Sequence, residues 1–267
     1  MKPLRTTVLI LLLAGLTGAG AVNAAPQSTR QVVGEPALEA LKGKVILLAG
    51  ATGNNGSVVL RQLGELGLKV RAMSRDVESA RAEFGSQYEW VQADVTDPAS
   101  LRRALQGVDI VISAVATAMP IGGNRPEKVD YEGTINLARA AKAAGVQRFV
   151  IITSSVSGKR GGVLNFIVGD VLVWKGKAEE ALVASGVPYV VVGPAGMNSD
   201  PGGQKKIAVI PRKQYQAGMF VSREDLASVV IAVAGLPGAV NRAFTVTNRE
   251  AVPDAAWQKN LATMPLK

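Results

Sequence analysis

KVILLAGATGNNG, residues 44–56, runs an apolar stretch into three glycines spaced by three, Gly50, Gly53 and Gly56. Val45 to Leu48 has the unbroken apolar character of a strand buried on both faces. Glycine at position 50 permits a tight turn. Glycine at 53 lets backbone come close to a pyrophosphate, and glycine at 56 lets the next helix, about 55–66, pack close to the strand. The amide groups and dipole at such a helix start favour an anion. The spacing is GxxGxxG rather than GxGxxG, and a bare glycine-rich strand–turn–helix is the alternative reading of this loop taken alone.

Outward from the loop, apolar runs alternate with helical periods. Strands are predicted over 44–49, 68–74, 88–93, 109–114, 148–153, 189–192 and 243–247. Helices are predicted over 98–105, with Asp97 as its cap, 130–144, stopped by Gly145, 171–185, stopped by Gly186, and 223–234. This alternation over about 200 residues predicts an α/β fold, a doubly wound parallel sheet in one domain spanning 44–248, with small C-terminal elements on the substrate side. Residues 157–169 and 197–218 read as irregular, glycine-containing segments. Residues 25–43 read as a linker with a short amphipathic piece, Glu35 to Leu41, and 249–267 as a tail.

Composition narrows the chemistry. Of 267 residues 48% are hydrophobic and only 4% aromatic, so the core must be built from Val, Ile, Leu and Ala. Cysteine and histidine are both absent. That removes thiolate nucleophiles, disulfides, imidazole bases and Cys/His metal sites, and no metal is expected. The formal charge is +9. No run of four or more Lys/Arg occurs, and pairs such as Lys205-Lys206 and Arg212-Lys213 suit a solvated face or, less directly, an anionic substrate. A nucleic-acid partner is not expected.

The start of the chain, MKPLRTTVLILLLAGLTGAGAVNAAPQS, has basic Lys2 and Arg5 before an apolar stretch from Val8 to about Val22. Small residues around Ala24 fit a cleavage site, so residues 1–24 are expected to be a signal peptide of a periplasmic or secreted protein. Its removal takes two cations and no acid, leaving +7. The alternatives are an uncleaved leader, the only membrane attachment expected, and a start without targeting function.

The second strand closes on Ser74-Arg75, where dinucleotide folds that take NAD carry an acid for the ribose 2′-hydroxyl. A guanidinium there suits a 2′-phosphate instead, which points to NADP(H). The plainer reading is a surface arginine. Asp94 after the third strand can accept from an adenine amine, and the small residues Ala114, Val115 and Ala116 after the fourth leave room at the sheet edge.

GATGNNG, VRAMSRD, ADVTD, VDYEGTINLARAAKAAGVQRFVIITSS and VLVWKGKAEEALVASGVPYVVVGPAGM together resemble the atypical short-chain dehydrogenases/reductases, the NmrA-like NAD(P)-binding group, with plant members carrying a VWK-x-KAE segment looking nearest. The resemblance covers about 44–248 and implies a Rossmann-type domain. It also implies roles. Gly50, Thr52, Gly53, Asn54, Asn55 and Gly56 would hold the pyrophosphate, and Ser74 and Arg75 the 2′-phosphate. Asp94 and Val95 would flank adenine, with Ala114, Val115 and Ala116 along the ribose. Thr153, Ser154 and Ser155 would end the active-site strand, Lys175 would contact the nicotinamide ribose, and Pro194, Ala195 and Gly196 would lie beneath the nicotinamide.

The departures bear on turnover. Catalytic relatives in the wider superfamily carry Tyr-x-x-x-Lys, in which the phenol exchanges a proton with substrate. None of Tyr88, Tyr131, Tyr189 or Tyr215 has lysine four residues on, and Val171 stands four before Lys175. Gly193 replaces the arginine often found before the sixth-strand proline. Lys175 and Ser154 are the catalytic candidates. A surface pair of Lys175 with Glu179, and a strand-end serine satisfied by backbone, are the plainer readings of each. The expected function is NADP(H)-dependent reduction of a small carbonyl, quinone or flavin-like molecule. The alternative is a dinucleotide-binding sensor or interaction protein without turnover.

Overall fold

The computed structural model describes residues 27–117, 125–167, 169–249 and 256–264. The elements run α1 (Thr29–Val33), α2 (Glu35–Leu41), β1 (Val45–Ala49), α3 (Gly56–Glu65), β2 (Lys69–Ser74), α4 (Val77–Phe84), β3 (Glu89–Gln92), α5 (Pro98–Ala104) and β4 (Ile110–Ser113). A π-helical turn (Glu127–Glu132) then leads into α6 (Gly133–Ala143), followed by β5 (Arg148–Ile152), α7 (Val163–Ile167), α8 (Val171–Ala184), β6 (Tyr189–Pro194) and β7 (Gly196–Asn198). β8 (Lys206–Ile210), β9 (Phe220–Ser222), α9 (Arg223–Gly235), β10 (Arg242–Arg249) and α10 (Ala256–Leu261) follow among the described residues.

Eight strands form one sheet in the order β3-β2-β1-β4-β5-β6-β10-β8, parallel throughout except for the β10–β8 pair. The order reverses between β1 and β4, so a crevice opens there at the carboxyl ends of the strands. Side chains alternate across the sheet. Ile46 and Leu48 of β1 face a core layer shared with Val59, Leu63 and the apolar residues of α9, while Leu47 and Ala49 face a second layer with Leu101, Leu137 and Leu182. The doubly wound α/β sheet expected from the alternation is therefore the architecture found.

Local chemistry sets the boundaries. The Asp97 carboxylate accepts the Ala99 N–H at 2.9 Å and caps α5, as expected. Gly145 and Gly186 take positive φ just past α6 and α8. Between β2 and β3 the structure adds α4, capped by Asp76 through Ser79 N–H at 3.0 Å.

Several stretches differ from expectation. The supposed linker contributes α1 and α2, whose Val32, Val33, Ala37, Leu38 and Leu41 are buried in the core against α9. α9 is itself buried along most of its length, so it needs apolar neighbours on both sides, and α1 and α2 supply the outer one. The supposed irregular stretch 197–218 contains β8, whose Ile207, Ala208, Val209 and Ile210 are all buried at the end of the sheet. In the supposed tail, Trp257, Leu261 and Met264 are buried. The leader 1–24 lies outside the described residues, and no described helix is long and apolar enough to cross a membrane.

Candidate functional site

The glycine loop sits at the crevice between β1 and β4. Gly50 has φ +80°, and a Cβ on it would fall 2.8 Å from the carbonyl of Ala114. The Gly53 N–H closes the turn on the Gly50 carbonyl at 3.1 Å. A methyl group on Gly56 would overlap that same carbonyl oxygen, so only glycine lets α3 start this close to β1. Gly53 is different, since a Cβ there would make only a 3.4 Å contact. Among the described residues no side chain caps α3; Thr52, Gly53 and Asn54 are exposed, and the buried Oδ1 of Asn55 finds no hydrogen-bond partner. An uncapped helix start behind a close-packed glycine turn fits a pyrophosphate.

Along the β2–β1–β4 edge, Ser74 is buried and its hydroxyl donates to the Asp76 carbonyl at 2.8 Å. Its neighbour Arg75 is exposed at the strand's carboxyl end. Asp94 spends Oδ1 on the Thr96 N–H and hydroxyl at 2.8 and 2.7 Å. Val95 is buried against the start of α6, where Gly133 leaves room for it. Ala114 and Val115 are half-buried beside Gly50, and Ala116 is exposed.

The other half of the site centres on Lys175, carried by α8. Its ammonium lies 2.7 Å from Asp130 Oδ1, with side-chain exposures of 14% for Lys175 and 1% for Asp130. Asp130 Oδ2 accepts both the N–H and the hydroxyl of Thr117, at 3.0 and 2.6 Å. One carboxylate thus joins the segment leaving β4, the π-helical turn and α8. The sequence predicted an ordinary helix from Asp130. The observed π turn is a form that recurs at functional sites.

A surface pair between Lys175 and Glu179 is not what the structure has. Glu179 is fully buried and takes Arg212 through two hydrogen bonds of 2.7 and 2.8 Å. Arg212 Nη2 also donates to the Thr153 hydroxyl at 3.1 Å. Arg212 therefore does not belong to an exposed basic face with Lys213, and Lys205 lies 3.6 Å from Asp200.

Ser154 sits where expected, after β5, but its hydroxyl accepts the Val156 N–H at 3.3 Å and its own N–H donates to Ser157 Oγ at 3.1 Å. Those bonds are the backbone satisfaction of a strand-end serine. Ser155 N–H donates to the Pro194 carbonyl, and Pro194 and Ala195 are buried beside it, with Gly196 half-buried. Val171, in place of a tyrosine, is buried. Trp174 lies 5.6 Å from Tyr131 between ring centroids at a tilt of 33°, with Lys177 Nζ 4.0 Å from the Trp174 ring centre.

Asp130 was not singled out from the sequence as a site residue, and Glu179 and Arg212 were read there as a partner of Lys175 and part of a basic cluster rather than as a pair with each other. Asp130 stands 45 residues from Lys175, and Arg212 stands 33 from Glu179. No local pattern marks such pairs. A cleft of about 640 Å³ lies elsewhere, among α1, α3 and α9, and none of the expected site residues lines it.

Residues 50–237 match a protein family described as NAD(P)H-binding. Protein TIC 62, chloroplastic, of Pisum sativum is 37% identical over 57% of this chain and 33% of that protein, so the chain spans about a third of that relative's length. Sanguinarine reductase of Eschscholzia californica is 28% identical over 78% of this chain and 90% of its own length. Among solved structures, the oxidoreductase ylbE of Lactococcus lactis shares the fold with a TM-score of 0.68 at 21% identity, over 82% of this chain and 97% of that one. The expectation of a signal peptide and a periplasmic protein is corrected by relatives named as chloroplastic, TIC 62 of Pisum sativum and of Oryza sativa among them.

Proposed function

We propose, given that the chain belongs to the NAD(P)H-binding family of atypical short-chain dehydrogenases/reductases, that it is a reductase preferring NADP(H) and acting on a small carbonyl, quinone or flavin-like acceptor. The observation that carries the reading is the glycine turn with its uncapped helix start at the β1/β4 switch, completed by Lys175 at the same edge. A nicotinamide cofactor supplies the hydride in such a site, and the protein supplies position and electrostatics. Gly50, Gly53 and Gly56 would seat the pyrophosphate. Arg75 would meet a 2′-phosphate, and Lys175, oriented by Asp130, would bond the nicotinamide ribose. With Val171 in place of tyrosine, the acceptor's proton would come from water, which suits a quinone better than a simple ketone. Sanguinarine reductase, aligned over most of its length, supports the reductase reading.

The same Val171 supports a second reading, a dinucleotide-binding protein without turnover. Calorimetric titration of the full-length chain with NADPH, NADP⁺, NADH and NAD⁺, beside Arg75→Glu, tests the proposal. Binding of NADPH that Arg75→Glu weakens, followed by quinone-dependent oxidation of NADPH, is expected. Equal affinity for NADH would remove the NADP(H) preference. Binding without oxidation by any acceptor would favour the second reading, and no binding at all would overturn both.

A further inference from the structure

Three cations on or beside the Lys175 half of the site are each matched by a carboxylate. Lys175 is held by buried Asp130 at 2.7 Å, Arg212 by buried Glu179 at 2.7 Å, and Lys128, on the same π turn as Asp130, by Glu132 at 2.8 Å. The first two pairs are largely shut off from water, where charge balance matters most. An acceptor carrying its own negative charge would find its attraction to Lys175 opposed by Asp130 at close range. A neutral acceptor meets no such opposition and can still take a hydrogen bond from the ammonium.

We infer that Asp130 is a specificity-determining residue, which neutralises Lys175 and so restricts the acceptor to uncharged molecules. The inference rests on the reductase reading and narrows its substrate class. Asp130 is suited to the task because it is fixed on its other side. Thr117 donates twice to Oδ2, and the carbonyl of Asp130 accepts the Thr134 hydroxyl at 2.6 Å. The carboxylate therefore stays against Lys175 rather than swinging to solvent.

The test compares a neutral acceptor, 1,4-naphthoquinone, with its anion, 1,4-naphthoquinone-2-sulfonate, in NADPH oxidation by the full-length chain. Each variant's anion-to-neutral ratio of kcat/KM is divided by the wild-type ratio, which cancels the intrinsic reactivity of the two quinones. Asp130→Asn keeps the shape and removes the charge, and it is expected to raise the ratio about tenfold. Lys175→Met leaves the carboxylate and is expected to lower it. Glu132→Gln, which alters a more exposed carboxylate on the same turn, is expected to leave it unchanged. Calorimetric binding of the sulfonate to each protein saturated with NADP⁺ reads the same preference without turnover, and Asp130→Asn is expected to tighten it.

An unchanged ratio and unchanged sulfonate affinity in Asp130→Asn, with NADPH oxidation intact, would overturn the inference and leave the reductase reading standing. Failure of the wild type to oxidise NADPH with either quinone would instead bring down the reading for quinones, and this inference with it. If Asp130→Asn does not fold, the direction of change in Lys175→Met decides.

Discussion

Arg212 and Glu179 meet in a double hydrogen bond, Nη1 to Oε2 at 2.8 Å and Nη2 to Oε1 at 2.7 Å, with the carboxylate wholly buried. Arg212 follows β8 at the sheet's edge and Glu179 lies in α8, so the pair fastens the returning chain over the carboxyl end of β5, where Arg212 also reaches Thr153. Removing the guanidinium takes two charge-assisted hydrogen bonds from a buried carboxylate. Arg212→Ala is expected to destabilise the protein by about 3–5 kcal/mol, and Glu179→Leu in the same chain to recover most of it. Urea unfolding of the single and double variants measures both.

Gly53 and Gly56 separate packing from ligand binding. Alanine at 56 must push α3 off the Gly50 carbonyl, so Gly56→Ala is expected to cost about 1–3 kcal/mol and to abolish dinucleotide binding. Alanine at 53 meets only an ordinary contact in the free protein, and stability should stay within about 0.5 kcal/mol. If backbone at 53 approaches a pyrophosphate, Gly53→Ala nonetheless loses affinity. Thermal unfolding beside NADPH titration distinguishes the two, and Gly53→Ala with unaltered affinity would remove that glycine from the site.

Arg148 ties the sheet to the far end of α9. Its Nη1 donates to the carbonyls of Val233, Ala234 and Leu236 at 3.0, 3.0 and 2.8 Å, the last acceptors of a helix whose C-terminus favours positive charge. Burial lowers the guanidinium's pKa from its high ordinary value. Arg148→Met preserves the aliphatic packing and drops these bonds. A loss of about 2–3 kcal/mol is expected in urea denaturation, with Arg148→Lys in between.

Asp225 carries a pH signature. Burial pushes its carboxyl above the ordinary value of 3.8, against the opposing hydrogen bonds from Gly203 N–H, Asn248 and Ser222. The folded chain then holds this proton where the unfolded chain has released it. Its contribution is greatest below the unfolded value and falls as pH rises from about 3.8 through the folded value. Asp225→Asn lacks the group, so the stability of wild type relative to this variant is expected to decline across that window. Urea midpoints at intervals of pH from 4 to 7 check it, and a relative stability that rises with pH would reverse the assignment.

How much of this could be read in advance depends on how far apart the determining residues lie. The β1–turn–α3 unit was legible because an apolar strand, three glycines and a helical period sit within 23 residues, 44–66, and glycine acts on its own backbone. The stops at Gly145 and Gly186 and the cap at Asp97 were legible for the same reason. Helix α4 was missed because it is short and buries fully only Ala80, with Val77 and Phe84 partly covered on either side. The placing of α1 and α2 was also missed, because the partner that buries them, α9, begins some 180 residues later.

At the site the division is sharper. Turn chemistry and alternation, which act between near neighbours, were enough to place an anion-binding loop at the switch point of a parallel sheet. They were silent on the charges around Lys175. A lysine and a glutamate four apart on a helix suggest a pair by proximity alone, yet each found a different partner, Asp130 at 2.7 Å and Arg212 at 2.7 Å. Those partners come from segments distant in the chain. Which counter-charge a buried ion receives is settled by how helices and strands pack, because the cost of leaving it unmatched arises only once water is excluded.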